Sequence, residues 1–244
     1  MRCRQRFKSL LPNELSGIFG VRSLCEGYEG KVFARAKLFK QNAHCLKMGK
    51  KLRILAAADL HGNMDIARSL SDKAKKGKVD LVVLAGDING FRSNDKILEP
   101  FFDAKQRVAF IPGNWESQED QKSFSRRGAK NLHLYYVTYE DVGIAGIGTG
   151  DWKFSMDEDE FEAIKKNFGK MKAKKRILVS HVHASGTKAE FSGFRGDQLL
   201  RKAVQDFKPD LLISAHIHEA EGLIDKIGST KVIQVGKKGK IFEI

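Results

Sequence analysis

Beyond residue 45 the sequence contains no cysteine; its three are Cys3, Cys25 and Cys45. The rest of the chain therefore has no disulfide to stiffen it and no thiolate to offer a metal. A reducing cytoplasm is the compartment that such usage fits. Proline is scarce, with four in 244 residues, and no low-complexity linker or internal repeat divides the chain. A run of the roughly 18 apolar residues needed to cross a bilayer is also lacking, so no membrane partner is expected. A chain of this length can bury one substantial core and need not hold more than one domain.

Acidic residues are in deficit, 30 against 44 Lys and Arg, for a net charge of +14. Such an excess suggests a nucleic-acid partner until it is divided along the chain. Residues 1–47 hold 10 basic and 3 acidic side chains, and the far longer remainder carries the other half of the excess. Within that remainder much of the lysine falls in short runs, at 73–78 and 170–175, which read as solvated helix ends. Nucleic acid is thus compatible but not favoured.

The sequence divides into a basic appendage over 1–47 and a body over 48–244. Met48-Gly49-Lys50-Lys51 leads straight into an apolar strand and reads as a natural start. The leader is then either a peripheral appendage or the product of an upstream translation start, and an intact mass beginning at Met1 would exclude the second. It lacks the apolar stretch and cleavage site of a secretory signal, and Glu14, Glu26 and Glu29 argue against a transit peptide.

From residue 51 short apolar runs alternate with amphipathic stretches, the pattern of an α/β fold. The runs are 53–58, 81–85, 108–111, 177–180 and 211–214. Helices are predicted over 64–76, 95–104, 117–127, 157–171 and 195–207. Two regions break the rhythm and read as antiparallel ribbons: 132–138 with 143–147, and 222–227 with 231–235 and 241–244. The whole predicts two mixed sheets in a layered sandwich flanked by helices.

Each apolar run is followed by hard-oxygen or imidazole donors: Asp59-Leu60-His61, Gly86-Asp87, Gly113-Asn114, His181, and His216-Ile217-His218. In open α/β sheets the C-terminal strand ends are where ligands bind. Taken singly, Asp59 or Asn114 would be a helix cap, Asp87 a turn residue, and a lone His a hydrogen-bonded core residue. Seven such residues at five consecutive strand ends instead make a metal cluster, with four of the seven histidines in it. Two cations about 3.5–4 Å apart can clamp a phosphoryl group and lower the pKa of a water between them. A carboxylate is the natural bridge, and Asp87 is the candidate. Carboxylate and imidazole suit Mn, Fe, Zn, Ni or Co. The acidic run 157–162 reads as a helix N-terminal turn, and His44 and His133 fall outside the cluster.

These motifs, in this order, resemble the calcineurin-like metallophosphoesterases, whose pattern D-x-H, G-D, G-N-H-[DE], H, G-H-x-H appears as Asp59-Leu60-His61, Gly86-Asp87, Gly113-Asn114-Trp115-Glu116, His181 and Ala215-His216-Ile217-His218. The resemblance extends over about 51–244. It is nearest to the small archaeal and bacterial predicted phosphoesterases, through Ser180-His181-Val182-His183, Gly186-Thr187-Lys188, Pro209-Asp210 and His218-Glu219. It implies a four-layered α/β sandwich with the metal site at strand C-terminal ends. It also implies two divalent metal ions, manganese foremost: Asp59, His61 and His218 on one, Asn114, His181 and His216 on the other, and Asp87 bridging.

Three positions depart from the family pattern. Ala215 replaces a glycine, Gln234-Val235-Gly236-Lys237 stands where relatives often carry Asn-Pro-Gly-Ser, and Trp115 replaces the histidine that would protonate the leaving group. An indole cannot act as a general acid near neutral pH. The expectation is therefore a metal-dependent phosphodiesterase, hydrolysing a small phosphodiester or cyclic nucleotide with a metal-activated hydroxide. Asp87 and Asn114 are its catalytic residues, and His183 is either a substitute acid or a loop-bracing partner. Trp115 reads as a wall stacking on a nucleobase or as packing beneath the site, and Glu116 as facing solvent. The alternatives are a nuclease and a non-catalytic scaffold of the same family; the sequence leaves oligomeric state open.

Overall fold

The computed structural model describes residues 51–139, 141–150 and 152–244. The leader over 1–47, its cysteines, His44 and the Met48 start lie outside them. Eleven strands among the described residues form two sheets. The first has β1 (Arg53–Ala57), β2 (Leu81–Ala85), β3 (Val108–Ile111) and β4 (Lys130–Asn131) running parallel, with β11 (Lys240–Glu243) antiparallel on the outer edge of β1. The second runs in the order β5 (Tyr136–Tyr139), β6 (Val142–Ile147), β7 (Lys175–Ser180), β8 (Leu211–Ser214), β10 (Thr230–Gln234), β9 (Ile224–Ile227), parallel at its centre and antiparallel at both edges.

Strand periodicity builds the layers. Ile54 and Ala56 of β1 and Val83 of β2 point inward, onto Ile144, Ile177, Val179 and Ile213 of the second sheet. Their neighbours Leu55, Val82 and Leu84 point the other way, onto the helices α1 (Met64–Lys76), α2 (Glu99–Asp103) and α3 (Gln118–Arg126). Helices α4 (Glu158–Lys170) and α5 (Gln198–Phe207) cover the far face of the second sheet through Phe161, Ile164, Leu200 and Val204. Helices, sheet, sheet, helices: this is the expected four-layered sandwich. Strands buried on both faces explain why the central runs are continuously apolar and do not alternate.

Helix starts follow local chemistry. Asn63 Oδ1 accepts from the Asp65 and Ile66 amides and caps α1. Ser117 with Asp120 and Asp157 with Glu160 form reciprocal capping boxes on α3 and α4, as read for the acidic run 157–162. Helix α2 is shorter than the predicted 95–104. Asn94 accepts the Lys96 amide in a local turn, and Pro100, which has no N–H to donate, belongs in a first helical turn. Helix α5 starts at Gln198 and not 195, because Asp197 is its cap and Gly196 is pressed against Ala184.

Two ribbon expectations need correction. The ribbon does not reach Leu132: Leu134 N–H and Tyr135 O bond Gly146 of β6, but the Leu132 amide bonds Phe110 O beside β3, and the chain crosses there from the first sheet to the second. The segment 241–244 does not continue the ribbon of β9 and β10. It crosses to the first sheet as β11, where Leu52 and Ile244 exchange reciprocal backbone hydrogen bonds of 3.1 Å. Strand β1 would otherwise be a long apolar edge, and β11 covers it.

Candidate metal centre

Parallel strands β1, β2, β3, β7 and β8 deliver their following residues to one rim of the sandwich. The first sheet brings Asp59, His61, Asp87 and Asn114, and the second brings His181, His216 and His218. Asp59, His61, Asp87 and His216 all have positive φ, at 59°, 49°, 51° and 70°. The left-handed region costs an L-residue about 1 kcal/mol or more, so the surroundings must hold it. They do so by backbone pairing between adjacent loops: Asp59 N–H to Gly86 O at 3.1 Å, His61 N–H to Asp87 O at 2.9 Å and Gly62 N–H to Ile88 O at 2.8 Å. Glycine is obligatory at two points. A Cβ on Gly113 would lie 2.2 Å from Asp87 Oδ1, and one on Gly86 would lie 2.5 Å from His181 Nδ1.

The seven side chains gather in two sets. Asp59, His61 and His218 present one donor atom each within 4.8 Å of one another, and so do Asp87, His181 and His216. Asn114 lies against the second set, its Oδ1 3.0 Å from His181 Nε2. His181 Nδ1–H donates to Ala85 O at 2.8 Å, which leaves its Nε2 lone pair aimed at the set. That Nε2 faces His216 Nδ1 at 3.3 Å and Asp87 Oδ2 at 3.4 Å. In the first set His61 Nε2 and His218 Nε2 stand 3.2 Å apart, and neither oxygen of the buried Asp59 carboxylate has a hydrogen-bond partner. Imidazole and carboxylate donor atoms converging on one another in this way fit a cation. The Asn114 amide suits either situation: with nitrogen inward it donates to His181, Asp87 and His216 while its oxygen accepts from Trp115 Nε1 at 3.3 Å, and with oxygen inward it adds another donor atom to a cation's shell.

Electrostatics agree. Burial, reinforced by Asp87 and Glu221, pushes Asp59 up to about 7. Burial and the neighbouring His181 bring His216 down to about 4, so its ring is a neutral lone-pair donor. Burial opposes the charge on His181, but contact with Asp87 outweighs it and raises the imidazole to about 9. A cation held by this set would take the place of the proton that Asp87 favours on His181.

Glu116 is buried, and it does not face solvent as the sequence suggested. Its carboxylate accepts the Asp87 amide at 2.9 Å, the Asn89 amide at 2.8 Å and the Gly113 amide at 2.6 Å, joining the loops after β2 and β3 directly behind the ligands. Burial and the nearby Asp87 raise its pKa to about 7. Sequence reading missed this staple because its partners are backbone groups from another segment. Ala215 is buried and its amide bonds His181 O, so the methyl group is accommodated. The 234–237 segment is likewise packed, with Val235 bonded to Ser214 and Gly236 O accepting from Ala58. His133 lies away from the ligands, half-buried, with Nδ1 accepting from the Gly148 amide. His183 is buried near His216, with Nε2 3.3 Å from Phe194 O and Nδ1 unpartnered.

The sequence profile of the calcineurin-like phosphoesterases matches residues 52–220, a span that holds all seven of these side chains. No curated protein matches the chain. Among solved structures it is similar to a Thermus thermophilus protein, with TM-score 0.61 and 14% identity over 80% of this chain and 99% of that one. It is also similar to a dimetal phosphatase from Danio rerio, with TM-score 0.60 and 12% identity over 76% and 88%. A purple acid phosphatase from yellow lupin seeds follows at 0.55 and 14%, over 80% and 45%. At such identities these likenesses speak for the fold alone, but the profile covers well over half of the sequence, and the chain belongs to the calcineurin-like phosphoesterase family.

Proposed function

We propose that the protein is a two-metal-ion phosphodiesterase acting on a small phosphodiester, such as a cyclic nucleotide. Asp59, His61 and His218 would hold one ion, Asn114, His181 and His216 would hold the other, and Asp87 would be shared between them. The observation that carries this reading is the pair of converging donor sets, one of them around the buried Asp59 carboxylate. Two divalent cations would supply polarisation of the phosphoryl oxygens, activation of water and compensation of charge on the leaving oxygen. Manganese is the expected metal, and iron, zinc, nickel and cobalt suit the same donors.

The chain's own groups do the rest. Ala85 O fixes the tautomer of His181, and the paired loops hold the strained ligand backbones so that little reorganisation accompanies binding. Trp115 supports a diester over a monoester: an indole stands at the position after Asn114 where the family pattern has an imidazole, and a missing general acid costs about 10²–10⁴-fold with a poor leaving group.

The test is hydrolysis of bis-p-nitrophenyl phosphate against p-nitrophenyl phosphate by metal-stripped protein refilled with Mn²⁺ or Ni²⁺. Diester turnover that appears only with metal is expected. No turnover of either ester with any of these metals would leave a binding module in its place. His183 is tested separately. If it supplies the leaving-group proton, His183→Ala lowers kcat about 10²-fold or more on an alkyl diester and far less on the nitrophenyl ester. Equal behaviour on both would assign it to bracing the Phe194 loop.

A further inference from the structure

Large aromatic side chains rarely stand in water in clusters; fully burying one removes about 150–250 Å² of surface from solvent. Here Trp152, Phe154 and Phe194 are 61%, 52% and 64% exposed, and all three lie at the metal centre. On one side the Trp115 ring is 6.0 Å from His61 and 4.8 Å from the Trp152 ring, tilted by 54°. On the other, Phe154 and Phe194 stand 5.7 Å and 6.4 Å from His216. Both candidate metal sets are thus flanked by rings that no family motif supplies.

Their backbones are fixed although the rings are open. The Trp152 amide donates to Asn114 O at 3.1 Å. Asp197 binds the Met156 amide and caps α5, tying the 152–156 segment to the loop that carries Phe194. Gly193 and Gly196 are held by Glu190, through its backbone carbonyl and its carboxylate. Rings held in place and left half bare are platforms for a flat group.

We propose that Trp115, Trp152, Phe154 and Phe194 form an aromatic rim that stacks on a nucleobase, so that the substrate is a nucleoside-bearing phosphodiester; this rests on the phosphodiesterase reading above. Flat rings on both sides of a candidate metal centre match a ligand that joins a planar heteroaromatic group to a phosphate. An acyl chain would call for a continuous aliphatic groove.

Two measurements test the rim. The first compares two diesters with the same leaving group, thymidine 5′-(p-nitrophenyl phosphate) and methyl p-nitrophenyl phosphate, on the metal-loaded full chain. Stacking worth about 1–3 kcal/mol per base predicts a preference for the nucleoside ester of about 5–150-fold in kcat/KM, expressed mainly in KM. Trp152→Ala and Phe194→Ala, both at exposed positions, move that ratio toward one. A ratio near one in the parent protein, or one untouched by both substitutions, overturns the rim while methyl ester turnover keeps the phosphodiesterase reading. An equal preference for octyl p-nitrophenyl phosphate would make the rim a general apolar surface and overturn the nucleobase.

The second measurement needs no turnover. Trp115 and Trp152 are the chain's two tryptophans, so intrinsic indole fluorescence reports on the rim alone. On the zinc-loaded protein, which avoids paramagnetic quenching, adenosine 5′-monophosphate is expected to quench saturably and ribose 5-phosphate is not. If both esters resist hydrolysis the phosphodiesterase reading fails, and this titration still decides the rim. Identical responses to the two phosphates would overturn it.

Discussion

Replacing Glu116 with alanine is expected to destabilise the protein by about 3–5 kcal/mol and to lower Tm by on the order of 10 °C. The carboxylate accepts three amides from two loops and has no solvent access, so its removal strands the Asp87, Asn89 and Gly113 N–H groups in the interior. Each hydrogen bond to an ionised acceptor is worth about 1.5–3 kcal/mol. Part of that is offset because burial holds the carboxylate at a raised pKa of about 7, so its own desolvation is relieved when it goes. The loss should reach the metal centre, since the stapled amides belong to Asp87 itself and to the residue before Asn114. Glu116→Gln keeps one acceptor oxygen but turns an NH₂ toward an amide donor, and should fall between. Thermal unfolding with metal analysis checks this. An alanine variant that melts within about 2 °C of the parent, under 1 kcal/mol for a domain of this size, would show the staple to be idle.

Asp87→Ala is expected to cut diester turnover by at least about 10³-fold, equivalent to about 4 kcal/mol of transition-state stabilisation. The residue's Oδ1 accepts the Trp115 amide at 3.2 Å and its Oδ2 faces His181 at 3.4 Å, so one side chain addresses both the loop and the ligand set. Removing it takes from His181 and His216 the carboxylate that faces them, and metal content should fall with activity. Asp87→Asn separates charge from shape, because the amide oxygen can still accept from Trp115. Activity lost in both variants, with Tm close to that of the parent, would locate the effect in charge. A fully active Asp87→Ala protein would remove the bridge from the proposed mechanism.

Much of this site could be read from sequence because ligand chemistry is carried by side chains at strand ends, where an apolar run stops and a hard donor begins. Asp59, His61, Asp87, Asn114, His181, His216 and His218 all occupy one rim for that reason. The layers followed from the same runs, since a parallel strand covered on both faces leaves a continuous apolar signature. Glu116 was illegible: a carboxylate serving distant amides looks like any acid on a helix-bound loop, and backbone donors have no letter in a sequence. Strand β11 was missed for a related reason. The residues of 241–244 suit an edge strand anywhere, and only the uncovered side of β1 decides where they go. The rim also needed the fold, because Phe154 and Phe194 are forty positions apart and meet around His216 through loops whose course Asp197 sets.

The reciprocal pairing of Leu52 with Ile244 has a practical corollary. Strand β1 runs toward the ligands and β11 runs away from them, so residues 52 and 244 sit side by side at the far end of the sheet. Five residues of strand at about 3.3 Å each put that pole roughly 17 Å behind Asp59. A reporter or affinity handle attached at either position would project away from the catalytic mouth, and the two positions are near enough to be joined by a short linker. A circularly permuted version of residues 52–244, opened in a solvent-facing turn and spliced through that pole, should therefore keep all seven donor residues in place, because no loop that carries one needs to be cut.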